Sequence, residues 1–289
     1  MLTEALVGSV WYMHQDKMRN ILAMIEAGTR PNPRSATAEP TSGMVAVIPV
    51  YGSITQRGDL LSDFFGGSST EAVGAAFASA ISNPAVDAVV LDVDSPGGSV
   101  YGIDELAAKI RAGRAIKPVY AISNSLMASA GYYIGSAAGE VWITPGGEVG
   151  SIGTLLVHAD YSRQLEEDGV KVTIVKAGDR KVEANPYEPL TDRAKAELQS
   201  TVDEYYQKFV SAVAINRNVT TKDASGPRFG QGLVFRAEEA VKRGIVDRVG
   251  TYEDLLAHVS RRALTTRSAR TSAYVNKKRF DMRARMSNS

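Results

Sequence analysis

Short, largely apolar runs alternate with amphipathic segments along most of this chain, and that alternation limits the folds it can adopt. Four such runs are MVAVIPVYG from residue 44, DAVVLDVDS from 87, KPVYAIS from 117 and EVWIT from 140. Runs that are apolar on both faces are typical of strands covered by helices on both sides of a sheet. The segments between them, STEAVGAAFASAISN, IDELAAKIRAG and ASAGYYIGSAA, have helical spacing. We therefore predict an α/β fold built on a largely parallel sheet.

The second half of the chain continues this pattern. It contains a predicted helix in DYSRQLEEDGV, a strand in KVTIVKAG (171–178), a long amphipathic helix over 190–217, and short closing elements in AEEAVKRGIVDRVG and YEDLLAHVSRRAL. The segment 190–217 is too long for a strand, so its apolar spacing indicates a helix.

The chain divides into three parts by composition. Residues 1–26 carry an apolar stripe that predicts a helix, and residues 28–43 are a linker rich in Pro, Gly, Ser and Thr. Together they form an N-terminal extension over 1–42. The folded domain is predicted over 43–258, and a basic tail over 259–289.

The tail is much more basic than the rest of the chain. Residues 261–289 hold nine Lys or Arg and one acid, a net charge of +8, which leaves −7 on the remainder of a chain whose total is +1. The tail is also poor in apolar residues, which favours a solvated, disordered terminus. The alternative is an arm that binds acidic protein or, weakly, nucleic acid.

Composition excludes several classes of chemistry. There is no cysteine, so disulfides, thiolate nucleophiles and thiolate metal sites are excluded. Three histidines, His14, His158 and His258, are too few for a histidine-rich metal site, and we expect no metal and no cofactor. No apolar stretch approaches the ~20 residues of a membrane span, and the first residues lack the features of a secretory signal. We expect a cytoplasmic protein.

A glycine pair follows the second apolar run. In DVDSPGGSV, Gly97 and Gly98 lie between a predicted strand and a predicted helix. Backbone N–H groups at such a turn can stabilise a developing oxyanion or bind a phosphate. The alternative is a tight turn with no chemical role.

A serine among small residues is the candidate nucleophile. Ser129, in NSLMASAGYYIGSAA, lies near the start of a predicted helix that follows a strand, which is how a nucleophile elbow is built. Ser129 as a helix cap or a close-packing residue is the structural alternative. Ser123 and Ser125 are nearby competitors.

A serine nucleophile needs a base, and the three histidines form no persuasive Ser-His-Asp arrangement. A lysine can serve, since burial or a cationic neighbour brings its pKa from about 10.4 to roughly 7–8. Lys181 in KAGDRKVEANP is a candidate, and spacing alone does not separate it from Lys171, Lys176 or Lys195. Ser151, bracketed by glycines in GGEVGSIGTL, is either a loop residue or the group that orients the base.

Five segments in this order resemble the signal peptide peptidase A family of Ser-Lys peptidases over roughly residues 43–258. They are DVDSPGGSV, MASAGYYIGSAA, VGSIGTLL, AGDRK before a proline, and GLVFRAEEAVKRGIVDRVG. The resemblance implies that Ser129 is the nucleophile, Lys181 the general base, Ser151 its hydrogen-bond partner, and Gly97 and Gly98 the oxyanion turn. Ala130 departs from the family, where many members have glycine, and its methyl group narrows the approach to Ser129.

The resemblance also implies the Clp protease/crotonase fold, assembly into rings, and, in short forms, a serine and lysine supplied by neighbouring subunits. The N-terminal residues look most like those of phage head-maturation proteases, which act inside the procapsid on scaffold, portal, capsid protein or themselves. A cytoplasmic peptidase of a bacterial cell is the alternative within the family. A crotonase-like acyl-CoA enzyme and a non-catalytic capsid scaffold protein are alternatives from other classes.

Overall fold

The computed structural model describes residues 9–26, 45–58 and 67–265. The strands are β1 (Val10–Met13), β2 (Val45–Tyr51), β3 (Ser53–Thr55), β4 (Gly67–Ser69), β5 (Ala88–Ser95), β6 (Gly97–Ser99), β7 (Val119–Ala128), β8 (Glu140–Ile143), β9 (Glu148–Gly150), β10 (Leu155–Leu156), β11 (Val234–Arg236) and β12 (Arg248–Val249). The α-helices are α1 (Gln15–Glu26), α2 (Thr70–Ser82), α3 (Ile103–Gly113), α4 (Ala130–Ser136), α5 (Ser162–Glu167), α6 (Asp192–Arg217), α7 (Thr221–Ser225), α8 (Ala237–Arg243) and α9 (252–265).

The strands form two sheets. The larger has the order β11-β9-β7-β5-β2, with β8 joining β7 to β12, and its pairs are parallel except β11 with β9. The smaller has the order β10-β1-β6-β3-β4. The predicted α/β class with a largely parallel sheet is therefore confirmed.

Helices cover both faces of the larger sheet, which explains why residues on both faces of its central strands are mostly apolar. Val89, Leu91 and Val93 face a core completed by α2, α3, α4 and α6. Val90 and Ile122 face the opposite side, where α9 packs. The carboxyl ends of β5, β7 and β9 meet at one edge of this sheet.

The predicted helix over residues 1–26 is wrong for part of that range. Residues 10–13 form strand β1, paired on both sides in the smaller sheet, and among the described residues 9–26 the helix covers Gln15–Glu26 alone. Two strand edges from distant parts of the chain supply the ladder hydrogen bonds, and local sequence does not reveal them. The linker over 28–43 lies outside the described residues.

The predicted strand over 171–178 is also wrong. Residues 171–176 have no regular structure, and Val175 is 95% exposed. A strand needs a paired neighbour for its backbone groups, and none of the described strands runs beside this segment.

The last helix continues beyond the predicted domain boundary at residue 258. Val259 and Ala263 are buried, so the first residues assigned to the basic tail pack on the body of the protein. The rest of the tail lies outside the described residues. Within the described ranges, no helix has both the length and the apolar character needed to cross a bilayer.

A buried carboxyl in β5 makes stability depend on pH. The Tyr51 hydroxyl donates to Asp92 Oδ2 at 2.5 Å. Burial raises the pKa of Asp92 above its usual value, against the opposing effect of that hydrogen bond. The folded state therefore retains the proton to higher pH than the unfolded chain, and stability falls as pH rises through the pKa of the folded state.

We expect Asp92→Asn, which cannot ionise, to gain free energy of unfolding relative to wild type as pH rises from about 4 to about 7.5. Urea unfolding at both pH values measures this difference, with the exposed Asp168→Asn as the control for charge removal. A difference that does not change with pH would contradict the assignment.

Candidate active site

Ser129 lies at the sharp junction between β7 and α4. Its backbone has φ 54° and ψ −119°, a region that non-glycine residues rarely adopt. Its N–H donates to the Gly150 carbonyl at 2.9 Å, and its carbonyl accepts from the Tyr133 N–H at 2.8 Å. Such strain costs ~1–3 kcal/mol and concentrates at functional sites. This geometry is that of a nucleophile on a strand-to-helix turn.

The Ser129 hydroxyl is buried and has no hydrogen-bond partner among the described residues. It makes no capping hydrogen bond to α4, so the helix-cap interpretation is wrong. A buried hydroxyl without a partner costs about 1–3 kcal/mol. The site therefore keeps a polar atom unsatisfied at a strained position.

The glycine pair lies against this serine. A Cβ on Gly97 would lie 2.9 Å from Ser129 Cβ, and one on Gly98 would lie 1.8 Å from the Ile54 carbonyl oxygen. Both positions require glycine because backbone approaches them so closely. The Gly97 N–H donates to Ser95 Oγ at 3.1 Å, so that amide is already engaged.

Ser151 is brought beside Ser129 by strand pairing. Ala128 and Gly150 are partners in the parallel ladder of β7 and β9, and each serine is the next residue along its strand. Ser151 also has a positive φ, 55°, and its N–H donates to the Leu233 carbonyl at 2.7 Å. The structure therefore places Gly97, Ser129 and Ser151 together.

Lys181 is not brought to this site within the subunit. It lies on an exposed turn, where its N–H donates to the Gly178 carbonyl at 3.2 Å. Within the described ranges, its ammonium group makes no hydrogen bond or ion pair. The rivals Lys171, Lys176 and Lys195 are also exposed, and Lys176 Nζ donates only to the Asp179 carbonyl, at 3.4 Å.

Ion pairs hold the turn that carries Lys181. Glu183 pairs with Arg180 and Arg193. Burial favours a higher pKa for the Glu183 carboxyl, but the Arg180 hydrogen bond and the Arg193 charge outweigh it and lower that pKa. The Glu183 carboxylate, two residues from Lys181, is thus paired with arginines and not with Lys181.

The histidines do not contact Ser129 Oγ. His258 packs against Tyr120 and Trp142 on the α9 side of the larger sheet, with its Nε2 3.8 Å from a Glu140 carboxylate oxygen. The His14 backbone N–H donates to the Pro96 carbonyl at 2.8 Å. His158 Nε2 is buried without a hydrogen-bond partner in the described chain.

The competing serines have other roles. Ser123 Oγ is buried and donates to the Glu148 carbonyl at 2.9 Å, which ties β7 to β9. Ser125 is exposed on β7. The residues described contain no group of three or more potential metal ligands.

Two parts of this site were not predicted from the sequence. Ser95 Oγ donates to the Gly52 carbonyl at 2.6 Å while accepting from Gly97, so it fixes the glycine turn. Its position directly before Pro-Gly-Gly was the available signal. Strand β1, which passes over the glycine turn, was the other omission, and its short apolar run VWYM was interpreted as helix.

Comparison with known proteins identifies one family. The model described as "Peptidase family S49" matches residues 111–265. The capsid assembly protease C of Escherichia phage lambda is 33% identical over 85% of this chain and 55% of its own length. The head-tail preconnector protein GP5 of Enterobacteria phage P21 is 28% identical over 74% of this chain and 42% of its own length. This chain spans about half the length of these curated relatives.

Among solved structures, a ClpP1 mutant from Listeria monocytogenes matches with a TM-score of 0.43 and 17% identity, over 72% of this chain and 92% of that one. The family match confirms the resemblance on which the site residues were assigned.

Two substitutions at one position test the strain and the unsatisfied hydroxyl. We expect Ser129→Ala to raise the free energy of unfolding by about 1 kcal/mol, because it removes a buried hydroxyl that lacks a partner. Ser129→Gly should add about 1 kcal/mol more, because relief of the strain exceeds the entropy cost of glycine. Urea denaturation measures both.

Ser123→Ala is the matched control, and it should destabilise the protein because it leaves the Glu148 carbonyl without its donor. A glycine variant less stable than the alanine variant would contradict the strain argument.

Proposed function

Because this chain belongs to peptidase family S49, we propose that it is a serine endopeptidase with Ser129 as nucleophile and Lys181 as general base. The observation that carries the proposal is the buried hydroxyl of Ser129 on a strained turn, with Gly97 against it. A serine held this way costs stability and makes no structural hydrogen bond, which favours a chemical role.

The proposed reaction is acyl transfer. Lys181, neutral once it is desolvated beside Ser129, takes the Ser129 proton as the hydroxyl oxygen attacks the peptide carbonyl. The turn at Gly97 and Gly98 supplies an N–H to the oxyanion, and because Ser95 Oγ accepts from the Gly97 N–H, this donor is the Gly98 N–H. Ser151 orients the lysine. The amine leaves with the proton from Lys181, and water then releases the acyl group from Ser129.

To act on Ser129, Lys181 must either move within its own chain or be supplied by another copy of the chain. We propose that it is supplied by a neighbouring subunit of a ring. The exposed segment around it supports this. Residues 171–176 are rich in the β-branched residues typical of strands but pair with none of the described strands, and Val172 and Val175 are exposed. An unpaired strand-like segment beside the proposed base is suited to pairing with a second copy of the chain.

We further propose that the protein acts in phage capsid maturation, inside the procapsid, on scaffold, portal, capsid protein or itself. The similarity to the lambda capsid assembly protease supports this role. The basic residues 261–289 would suit contact with an acidic capsid or scaffold surface.

We expect Ser129→Ala and Lys181→Ala each to abolish cleavage, because one loses the nucleophile and the other its base. Intact-mass spectrometry of each variant, alone and with an unfolded test protein in the presence of a chelator, measures this. Lys176→Ala, which removes another exposed lysine of the same segment, should keep wild-type activity. Wild-type-like turnover in Lys181→Ala would exclude the proposed dyad.

Mixing the two inactive variants tests whether the dyad forms between subunits. In a ring assembled from equal amounts of Ser129→Ala and Lys181→Ala chains, some Ser129 sites face an intact Lys181. We expect activity to return to about a quarter of wild type if assembly is random. The measurement is cleavage of the same test protein after co-refolding. No recovery in rings of confirmed mixed composition would place both residues of the dyad in one chain.

A further inference from the structure

Strand β1 fills a gap one strand wide between β6 and β10. It is antiparallel to both, with Tyr12 opposite Gly98 on one side and Val10 opposite Leu156 on the other. Strand β6 contains the glycine pair and β10 begins at Leu155, shortly after Ser151, so the gap adjoins the candidate active site. An extended peptide that entered this gap would be hydrogen-bonded along both edges.

The register places the Tyr12 carbonyl at the glycine turn. The His14 N–H donates to the Pro96 carbonyl at 2.8 Å, which marks a hydrogen-bonded pair of the antiparallel ladder. Such pairs recur at every second residue, so Tyr12 and Gly98 form the next one. A Cβ on Gly97 would lie 2.1 Å from the Tyr12 carbonyl oxygen and 2.9 Å from Ser129 Cβ. The Tyr12 peptide group is thus positioned as a substrate carbonyl would be.

The Tyr12 side chain fills an aromatic pocket. Its ring centroid lies 5.7 Å from that of Tyr133, 6.2 Å from Tyr205 and 5.0 Å from Phe209. Its hydroxyl donates to the Tyr205 carbonyl at 2.7 Å, and the residue is 1% exposed. Tyr133 belongs to the helix that begins at Ser129, so the pocket adjoins the nucleophile. The pocket is built to take one aromatic ring with a hydroxyl at its far end.

The face of β1 opposite to Tyr12 packs against helix α1. Trp11 and Met13 alternate with Tyr12 and pack against Met18 and Ile21 of α1. Leu155 of β10 adjoins the same cluster. The strand is therefore fixed by its backbone on two edges and by side chains on both faces, which accounts for the complete burial of the Ser129 hydroxyl beneath it.

We infer that residues 10–13 are a built-in occupant of the substrate groove, and that the groove binds an extended peptide whose aromatic side chain enters the Tyr133–Tyr205–Phe209 pocket. This inference rests on the proposed peptidase function for the use of the groove. It makes β1 an intramolecular inhibitor, because external substrate reaches Ser129 only after the strand has left.

A single cysteine at the nucleophile position reports occupancy of the groove without any need for catalysis. The chain has no native cysteine, so Ser129→Cys introduces one unique thiol. In the full chain we expect this thiol to react slowly with a small maleimide, and at least tenfold faster when Tyr12→Ala is added. Tyr12→Phe, which keeps the ring in the pocket, should remain slow. Equal rates in the Ala and Phe backgrounds, with unchanged circular dichroism, would overturn the inference.

A peptide added in trans tests the pocket. The synthetic peptide SVWYMH, residues 9–14, should slow maleimide labelling of the Ser129→Cys, Tyr12→Ala protein, while SVWAMH should not. Equal protection by both peptides, or by neither, would overturn the assignment of the aromatic pocket.

A disulfide provides a second measurement that does not depend on the stability of a Tyr12 variant. Val10 and Leu156 are directly opposite in the ladder, at a spacing that suits a disulfide. In Val10→Cys, Leu156→Cys protein, we expect the bond to form on mild oxidation, to lower peptidase activity at least tenfold, and to release it on reduction. Failure of the folded protein to cross-link, or full activity when cross-linked, would overturn the inference. If instead Ser129→Ala keeps activity, the proposed function fails, and labelling and cross-linking still decide whether β1 occupies the groove.

Discussion

The parallel ladder around β7 is the interaction on which the site depends. On one side Ser95 pairs with Met127, and on the other Ala128 pairs with Gly150. Because parallel strands end at the same edge, three turns that are far apart in sequence meet within a few ångströms. A shift of one residue in either pairing would move Ser129 away from the glycine turn or from Ser151.

The surrounding core stabilises a locally unfavourable arrangement. Ser129 and Ser151 both have positive φ, and the Ser129 hydroxyl is buried without a partner. The strain is tolerated because α4 is fully buried and its neighbours leave no space to relax. A Cβ on Gly131 would lie 3.2 Å from Ser95 Cβ, so α4 and β5 pack too closely to accommodate a larger residue at Gly131 without a shift. Tight packing therefore holds the nucleophile turn in place.

The conformations of two segments, residues 10–13 and 171–176, depend on which strand edges are available for pairing. Residues 10–13 pair with two strands of the same chain and lie beside the glycine turn, whereas residues 171–176 pair with none of the described strands and Lys181 is exposed. Under the proposals above, activation requires both to change: the first must leave its groove, and the second must dock on a neighbour. Both changes exchange backbone pairing at a sheet edge, so assembly and unmasking of the site can be coupled.

Elements whose partners are implied by local pattern could be predicted from the sequence. The apolar runs predicted β2, β5, β7 and β8, and helical spacing predicted α2, α3 and α6. The glycine and serine motifs indicated the family and predicted Gly97, Ser129 and Ser151 as site residues, which the structure brings together. Three features depend on tertiary contacts: residues 10–13 form a strand, Tyr12 fills an aromatic pocket, and Lys181 lies apart from Ser129. A strand forms only where another strand edge can pair with it, and the edges that pair with residues 10–13 belong to residues distant in sequence.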